Sequence, residues 1–270
     1  MSGITTFTDS YVMTPKGAVL VPELNPKETL ILNNKFEWVK PRLIYLKKSR
    51  SNLVKSWNIL SFPFTENTLV DTKQSKKLKP IIVSPTVVDV NNNYSEVEVL
   101  ALSIMYSNKL TLNKDNTSTL YLSKFQEKDL EVVMNYLSDK CIAFTTNSNP
   151  FNTTVTFNSN SINKFTYKDI FSLNKDNLSI YLNLVFVYLE QGYLSLNPPL
   201  ILELKLLVDK LDDVLITNTF NNFVKETPFN TSTTENKTAH LSEDVVQVTI
   251  NTTNSYPYVN GLTVNNTKPK

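Results

Sequence analysis

The residue types that carry most enzyme chemistry are scarce in this chain. It has one His, His240, and one Cys, Cys141, so an HExxH motif, a Cys/His zinc site and an internal disulfide cannot be built from one copy. A nucleophile–base pair of Cys141 and His240 is formally open. However, Cys141 begins an apolar, strand-like run over 141–146, where a thiol is normally inert packing. The pattern predicts a buried, structural Cys141.

Glycine scarcity excludes a second group of sites. The chain has 4 Gly in 270 residues, whereas average usage would give about 19. The motifs GxGxxG, GxxxxGK[ST] and GxSxG are absent, and each needs Gly where the backbone approaches a ligand or turns sharply. We therefore expect no P-loop NTPase, dinucleotide-binding fold or α/β-hydrolase. We predict a chain that is not an enzyme and has no cofactor.

Two further groupings could bind ligands. Asp209, Asp212 and Asp213 fall within one turn of a predicted helix and could hold a divalent cation, but nearby lysines favour a solvated helix face. Tyr188 and Tyr193 could line a pocket in the apolar region 178–208. An ordinary hydrophobic core explains these residues equally well.

The basic-aromatic segment, residues 35–57, is the feature that composition explains least. Both Trp and both Arg of the chain lie in it, against a single acidic residue, Glu37. Cations neutralise phosphates and aromatic rings stack on unpaired bases, so the segment predicts contact with RNA, single-stranded DNA or an acidic partner. The candidate contact residues are Lys35, Trp38, Lys40, Arg42, Tyr45, Lys47, Lys48, Arg50, Lys55 and Trp57.

The elements that position this segment are predicted to be two strands, Arg42–Leu46 and Val54–Leu60, joined by a basic tip over 47–52. A second lysine cluster, Lys73–Lys79, extends the positive charge. In the alternative interpretation the segment is a solvated hairpin whose Trp side chains belong to the core.

Hydropathy and breakers divide the chain into three parts and predict an α+β fold. Residues 1–95 are β-rich, because short apolar runs alternate with Pro, which excludes long helices. Residues 96–225 are mainly helical. Residues 226–270 combine a polar linker, a strand over Val245–Ile250 and an Asn260-Gly261 hairpin signal.

Three helices of the central part have clear signals. Ser123 and Gln126 have capping-box spacing before an apolar stripe. The stretch Asn177–Gln191 is apolar almost all round and is followed by Gly192, which predicts a buried helix and its end. Asn197 before Pro198 predicts an N-cap for a Leu-rich helix that continues to about Val214.

Composition and charge leave two main hypotheses for function, and a third, an enzyme that uses carboxylates alone, stays open. The chain has 33 Asn and 25 Lys against 2 Arg, which is typical of an AT-rich genome. We expect a non-enzymatic structural or assembly protein of a virus, phage or similar element, which acts by self-association or by contact with other structural proteins. The alternative is a nucleic-acid-binding module that uses residues 35–79.

The termini and apolar runs bear on location. The start has neither a basic nor an apolar region typical of a signal peptide, and the longest apolar run is too short to span a bilayer. We expect an intracellular or virion protein without a membrane span.

Overall fold

The computed structural model describes residues 2–7, 11–46, 52–57, 61–65, 94–162, 165–225, 238–240 and 245–250. The strands of the first part are β1 Ser2–Phe7, β2 Tyr11–Thr14, β3 Gly17–Leu20, β4 Ile31–Leu32, β5 Trp38–Val39, β6 Pro41–Leu46, β7 Asn52–Trp57 and β8 Ser61–Thr65. The central elements are α1 Glu96–Ser107, β9 Lys109–Leu112, β10 Thr117–Ser123, α2 Glu127–Asp139, β11 Phe144–Ser148, β12 Asn152–Asn158, α3 Tyr167–Phe171 and α4 Lys175–Glu190. The last elements are α5 Pro198–Leu211, α6 Val214–Lys225, β13 Thr238–His240 and β14 Val245–Ile250.

This order of elements confirms the predicted α+β class. Strands dominate the first part, helices the centre, and short strands return near the end. The chain divides into two compact units: unit 1 combines residues 1–88 with 197–270, and unit 2 is residues 89–196. Unit 1 is thus built from both ends of the chain.

Unit 1 contains a six-stranded sheet in the order β13-β7-β8-β1-β14-β6. The strand β14 pairs antiparallel with both β1 and β6, which confirms the strand predicted over Val245–Ile250. Val248 and Ile250 of this strand are buried in a cluster with Val12, Val21 and Ile31. Strand β14, from late in the chain, therefore packs into a core formed by residues near the start of the chain.

The Leu-rich helix α5 belongs to unit 1 and begins as predicted. The Asn197 side chain accepts the Leu200 N–H at 2.9 Å, and Pro198 follows in the first turn. The helix is shorter than the apolar repeat suggests, because Asp212 takes a left-handed conformation at φ 54°. Asp213 then caps α6 by accepting the Ile216 N–H at 3.0 Å. The repeat through Val214 is therefore divided between two helices.

The N-cap of α5 provides a first testable expectation. Replacing Asn197 with Ala removes the acceptor of the Leu200 N–H, which should lower the free energy of unfolding by about 1 kcal/mol. Urea denaturation followed by circular dichroism measures the change. Asn197→Asp keeps an acceptor, so its free energy of unfolding should fall much less. Equal falls in the two variants would contradict the capping role.

Unit 2 is a four-stranded antiparallel sheet in the order β11-β12-β10-β9, with helices on one face. Along the chain, a helix and a hairpin, α1-β9-β10, are followed by a second helix and hairpin, α2-β11-β12. The second strands of the two hairpins, β10 and β12, pair at the centre over seven positions. The helices α3 and α4 follow, and α4 packs on α1.

The core of unit 2 lies between the sheet and the helices. Alternate residues of the central strands, Leu120 and Leu122 on β10 and Val155 and Phe157 on β12, are buried against α1 and α2. The period of two in their burial places every second residue of both strands on the opposite face. That face bears polar side chains.

Candidate functional site: the open face of the unit 2 sheet

The side of the sheet away from the helices is an ordered polar surface, which we call the open face. Two rows of facing residues cross all four strands, and none of these residues is buried. The first row is Thr111, Thr119, Thr156 and Thr145, and the second is Lys109, Tyr121, Thr154 and Asn147. These two rows thus present hydroxyls, one amide, one aromatic ring and one ammonium, without a carboxylate.

Local sequence explains why this face forms. Thr is β-branched and suits a half-buried position in a strand. In β10 and β12 it alternates with buried residues, in the sequences TSTLYLS and NTTVTFN. A slip of one residue in register would bury the hydroxyls and expose the core side chains, so the alternation fixes the pairing.

Hydrogen bonds between side chains hold the first row in place. The Asn113 amide donates to the hydroxyls of Thr117 at 2.9 Å and Thr119 at 3.0 Å. The hydroxyls of Thr119 and Thr156 are 3.1 Å apart across the central strands. This hydrogen-bond network fixes the positions of several polar groups before a ligand binds, which reduces the entropy cost of binding.

In the second row, a cation lies close to an aromatic ring. The Lys109 ammonium is 5.4 Å from the centroid of the Tyr121 ring, within the range of a cation–π contact. Lys109 is exposed and Tyr121 half-buried. The pair supplies a positive charge and a stacking surface at adjacent positions.

Charge is distributed unevenly between the two layers of unit 2. The strands β9–β12, their hairpin turns and residues 124–125 contain Lys109, Lys114 and Lys124 against a single acid, Asp115. The helices α1–α4 contain nine Asp or Glu and three Lys. The sheet layer is therefore the positive side of an acidic unit.

Asp115 lies in the β9–β10 turn, at one end of the sheet. The Thr117 hydroxyl and N–H donate to its carboxylate at 2.7 and 3.1 Å. These hydrogen bonds, the hydroxyl first, lower the pKa of Asp115 below its usual value. The carboxylate is therefore ionised at neutral pH and limits the positive surface at that end.

Two phenylalanines project at the other end of the sheet. Phe125 follows β10 and is 90% exposed, and Phe151 precedes β12 and is 82% exposed. The ends of these two strands are paired there, with Ser123 of β10 opposite Asn152 of β12. Two largely exposed aromatic rings therefore follow and precede adjacent strands at this end of the sheet.

Behind the sheet, a polar network joins α1, α2 and α4. The Tyr188 hydroxyl donates to Asp129 Oδ2 at 2.5 Å, and the Gln126 amide donates to the same oxygen at 2.9 Å. Asn108 Nδ2 lies 3.2 Å from the Tyr188 hydroxyl. Tyr188 is 1% exposed and stacks edge-on against Tyr193. Tyr188 is therefore a bonded core residue.

The basic-aromatic segment is only partly described. Lys35 and Trp38 are half-buried, while Lys40 and Arg42 are exposed. Tyr45, Lys55 and Trp57 lie on strands that the structure describes, but the positions of their side chains are not described. Three predicted residues, Lys47, Lys48 and Arg50, lie outside the described residues, as do the cluster Lys73–Lys79 and the hairpin signal at Asn260-Gly261.

The predicted hairpin of this segment is wrong in its pairing. Both strands exist, as β6 and β7, but β8, β1 and β14 lie between them in the sheet. The strand β14, from the end of the chain, pairs with β6 over six residues, and β7 pairs with β8. A strand from late in the chain and the strand that follows β7 thus take the places that sequence proximity assigned to one hairpin.

The turn that carries Lys35 is organised by a single amide. Asn33 Oδ1 accepts the N–H groups of Lys35 and Glu37, each at 2.9 Å, and Asn33 Nδ2 donates to the Glu37 carboxylate at 2.9 Å. Glu37 therefore adds negative charge beside Lys35. Within the described part of the segment, the exposed cations are Lys40 and Arg42, two positions apart along an extended chain.

The predicted burial of Cys141 is also wrong. Cys141 is exposed, with φ 54°, just after α2. Its N–H and that of Ile142 donate to Ser138 O and Leu137 O at 2.9 and 2.8 Å, a helix C-terminal arrangement usually made by Gly. In this Gly-poor chain, Cys141 occupies a left-handed position, and the strand begins later, at Phe144.

Two of the three clustered aspartates, Asp209 and Asp213, have structural partners. Asp209 pairs with Lys205 at 2.5 Å, and Asp213 caps α6. Cys141 and His240 belong to different units. Within the described ranges, no group of three His, Cys, Asp or Glu could hold a metal ion.

No protein-family model, curated protein or solved structure matches the chain. Among the described helices, none has the length and apolar character needed to cross a membrane. The residues themselves therefore carry the functional argument.

Proposed function

We propose that the chain is a non-enzymatic nucleic-acid-binding protein and that the open face contacts the nucleic acid. The observation that supports this proposal is the separation of charge in unit 2. The helices carry nine acids and three lysines, whereas the sheet layer has three lysines against one acid, with a Tyr–Lys pair and ordered hydroxyls.

The chemistry of each group on this side suits a nucleic-acid strand. Lys109, Lys114 and Lys124 neutralise phosphates and release counterions. Threonine hydroxyls and the Asn147 amide donate to phosphate and sugar oxygens, which positions the strand. The ring of Tyr121 offers a face to a base. Exposed Lys40 and Arg42 of unit 1 supply further cations for the same class of ligand.

Direct binding measurements test this function. Full-length protein is titrated into fluorescein-labelled RNA or DNA of about 20 nucleotides, and anisotropy is followed as the salt concentration increases. Three phosphate contacts should give a logarithmic salt slope of about −2 for single strands. Absence of binding to single-stranded and duplex probes at low ionic strength would refute the proposal.

A second candidate function is assembly through protein–protein contacts, as the sequence first suggested. The observation that favours it is the edge strand β9, which has one neighbour among the described strands. Leu110 and Leu112 of this strand are 46% and 67% exposed. An exposed apolar edge is a template for pairing with another strand.

For this candidate we expect concentration-dependent self-association, measured by size-exclusion chromatography with light scattering. Leu112→Lys places a charge on the edge and should shift the protein toward monomer. Val214→Lys, at a 74% exposed position of α6, is the matched control. A strictly monomeric wild type at all concentrations would exclude assembly through β9.

A further inference from the structure

Phe125 and Phe151 lie on adjacent connections at one end of the unit 2 sheet. The Lys124 N–H donates to the Phe151 carbonyl at 3.2 Å, which joins the two connections next to the last strand pair. The Gln126 N–H donates to Ser123 O at 2.9 Å on one side. Asn149 Oδ1 accepts the Phe151 N–H at 2.8 Å on the other. Both rings therefore project from hydrogen-bonded turns.

The surroundings of the rings are polar and cationic. Lys124 precedes Phe125 in the sequence, donates its backbone N–H to the Phe151 carbonyl, and is exposed. Ser123 and Asn152 form the last pair of the sheet beside them. A patch for a folded protein partner normally has a continuous apolar centre, whereas two aromatic rings flanked by a cation and polar side chains match a single nucleic-acid strand.

We propose that Phe125 and Phe151 stack on unpaired bases, so that the site selects single-stranded over duplex nucleic acid. This inference rests on the proposed function and specifies its substrate class. Phosphates follow Lys109 and Lys124, while bases beyond the end of the sheet lie against the two rings. A duplex keeps its bases stacked on each other and offers no free face to either ring.

The test compares single-stranded and duplex probes of the same sequence. The double variant Phe125→Ala/Phe151→Ala should lose roughly tenfold in single-strand affinity for each ring removed and should leave duplex affinity unchanged. The matched control, Val214→Ala/Leu215→Ala, truncates side chains that are 74% and 76% exposed in unit 1. This control should bind as the wild type does.

Two further variants separate stacking from general apolar contact. Phe125→Trp/Phe151→Trp should retain single-strand affinity, and its added indole fluorescence should be quenched when an oligouridylate probe binds. Phe125→Leu/Phe151→Leu keeps apolar volume without an aromatic face and should bind as weakly as the Ala variant. Wild-type affinity in the Leu variant would overturn stacking and indicate an apolar partner surface.

Base stacking by the two rings and nucleic-acid binding by the protein would be contradicted by different results. If the Ala variant binds single strands with wild-type affinity and salt dependence, stacking is overturned while nucleic-acid binding stands. If the wild type binds neither probe at low salt, the proposed function itself fails. Circular dichroism of every variant verifies that unit 2 remains folded.

Discussion

Lys109→Glu combined with Thr145→Glu should weaken nucleic-acid binding by at least about tenfold at low salt. The two changes make the open face more negative by three charges, and both positions are exposed, so packing in the core is preserved. A carboxylate beside a phosphate repels it, and the loss of Lys109 removes one released counterion. Anisotropy titrations across a salt series measure both the affinity and its slope.

The control for this variant changes the same net charge on the helix side. Lys175→Glu with Asn183→Glu alters exposed positions of α4, in the layer away from the open face. Long-range repulsion is screened beyond about 10 Å at 0.1 M salt, so this control should retain most of its affinity. Equal losses in both variants would show that net charge, rather than the open face, governs binding.

Tyr188→Phe should lower the free energy of unfolding by about 1–3 kcal/mol. The Tyr188 hydroxyl donates to Asp129 and lies within hydrogen-bond distance of Asn108. Its removal leaves Asp129 Oδ2 with the Gln126 amide and takes away the Tyr188 acceptor of Asn108 Nδ2. Urea denaturation monitored by circular dichroism measures the loss. A variant with the urea midpoint of the wild type would contradict a stabilising role for this network.

The same tyrosine should make unit 2 sensitive to alkali. Burial, and then the hydrogen bond to Asp129, raise the pKa of Tyr188 well above its ordinary value of 10.0. Because the folded-state pKa exceeds that of the unfolded chain, its stabilising contribution is complete below pH about 10 and is lost as pH rises further. Tyr188→Phe should flatten this loss in part, since burial also raises the pKa of Tyr94 and Tyr136. An unchanged pH profile would contradict this assignment.

Elements with strong local signals could be predicted from the sequence. The N-cap Asn197, the buried helix before Gly192 and the strand at Val245–Ile250 all form as expected. Gln126 also reaches back to the Ser123 N–H at 2.9 Å, although α2 begins at Glu127. In these cases the determinant lies within a few residues of the element, so that local chemistry is sufficient.

Pairing between distant strands could not be predicted. The hairpin expected between β6 and β7 is replaced by pairing of β6 with the distant β14 and of β7 with the next strand, β8. Burial of Val248 and Ile250 in the unit 1 core favours the first of these pairings. Cys141 was misassigned because its left-handed position depends on where α2 ends. An apolar neighbourhood alone does not reveal such a backbone requirement.

The open face was missed although its signal is present in the sequence. The alternation of Thr with buried residues over Thr117–Ser123 and Asn152–Asn158 is a half-buried strand pattern. In a chain this rich in Thr and Asn, such runs resemble polar loops. The concentration of acids on the helices, which leaves the sheet layer with more lysines than acids, becomes visible only when the two layers are assigned.

Ultraviolet cross-linking of the full-length protein to a thiouridine-substituted single strand, with the cross-linked peptides identified by mass spectrometry, tests the central claim most directly. We expect cross-links within 109–125 and 144–158, with Tyr121, Phe125 and Phe151 as the principal sites. Cross-links confined to 35–57, or to the helices α1–α4, would contradict a nucleic-acid site on the open face.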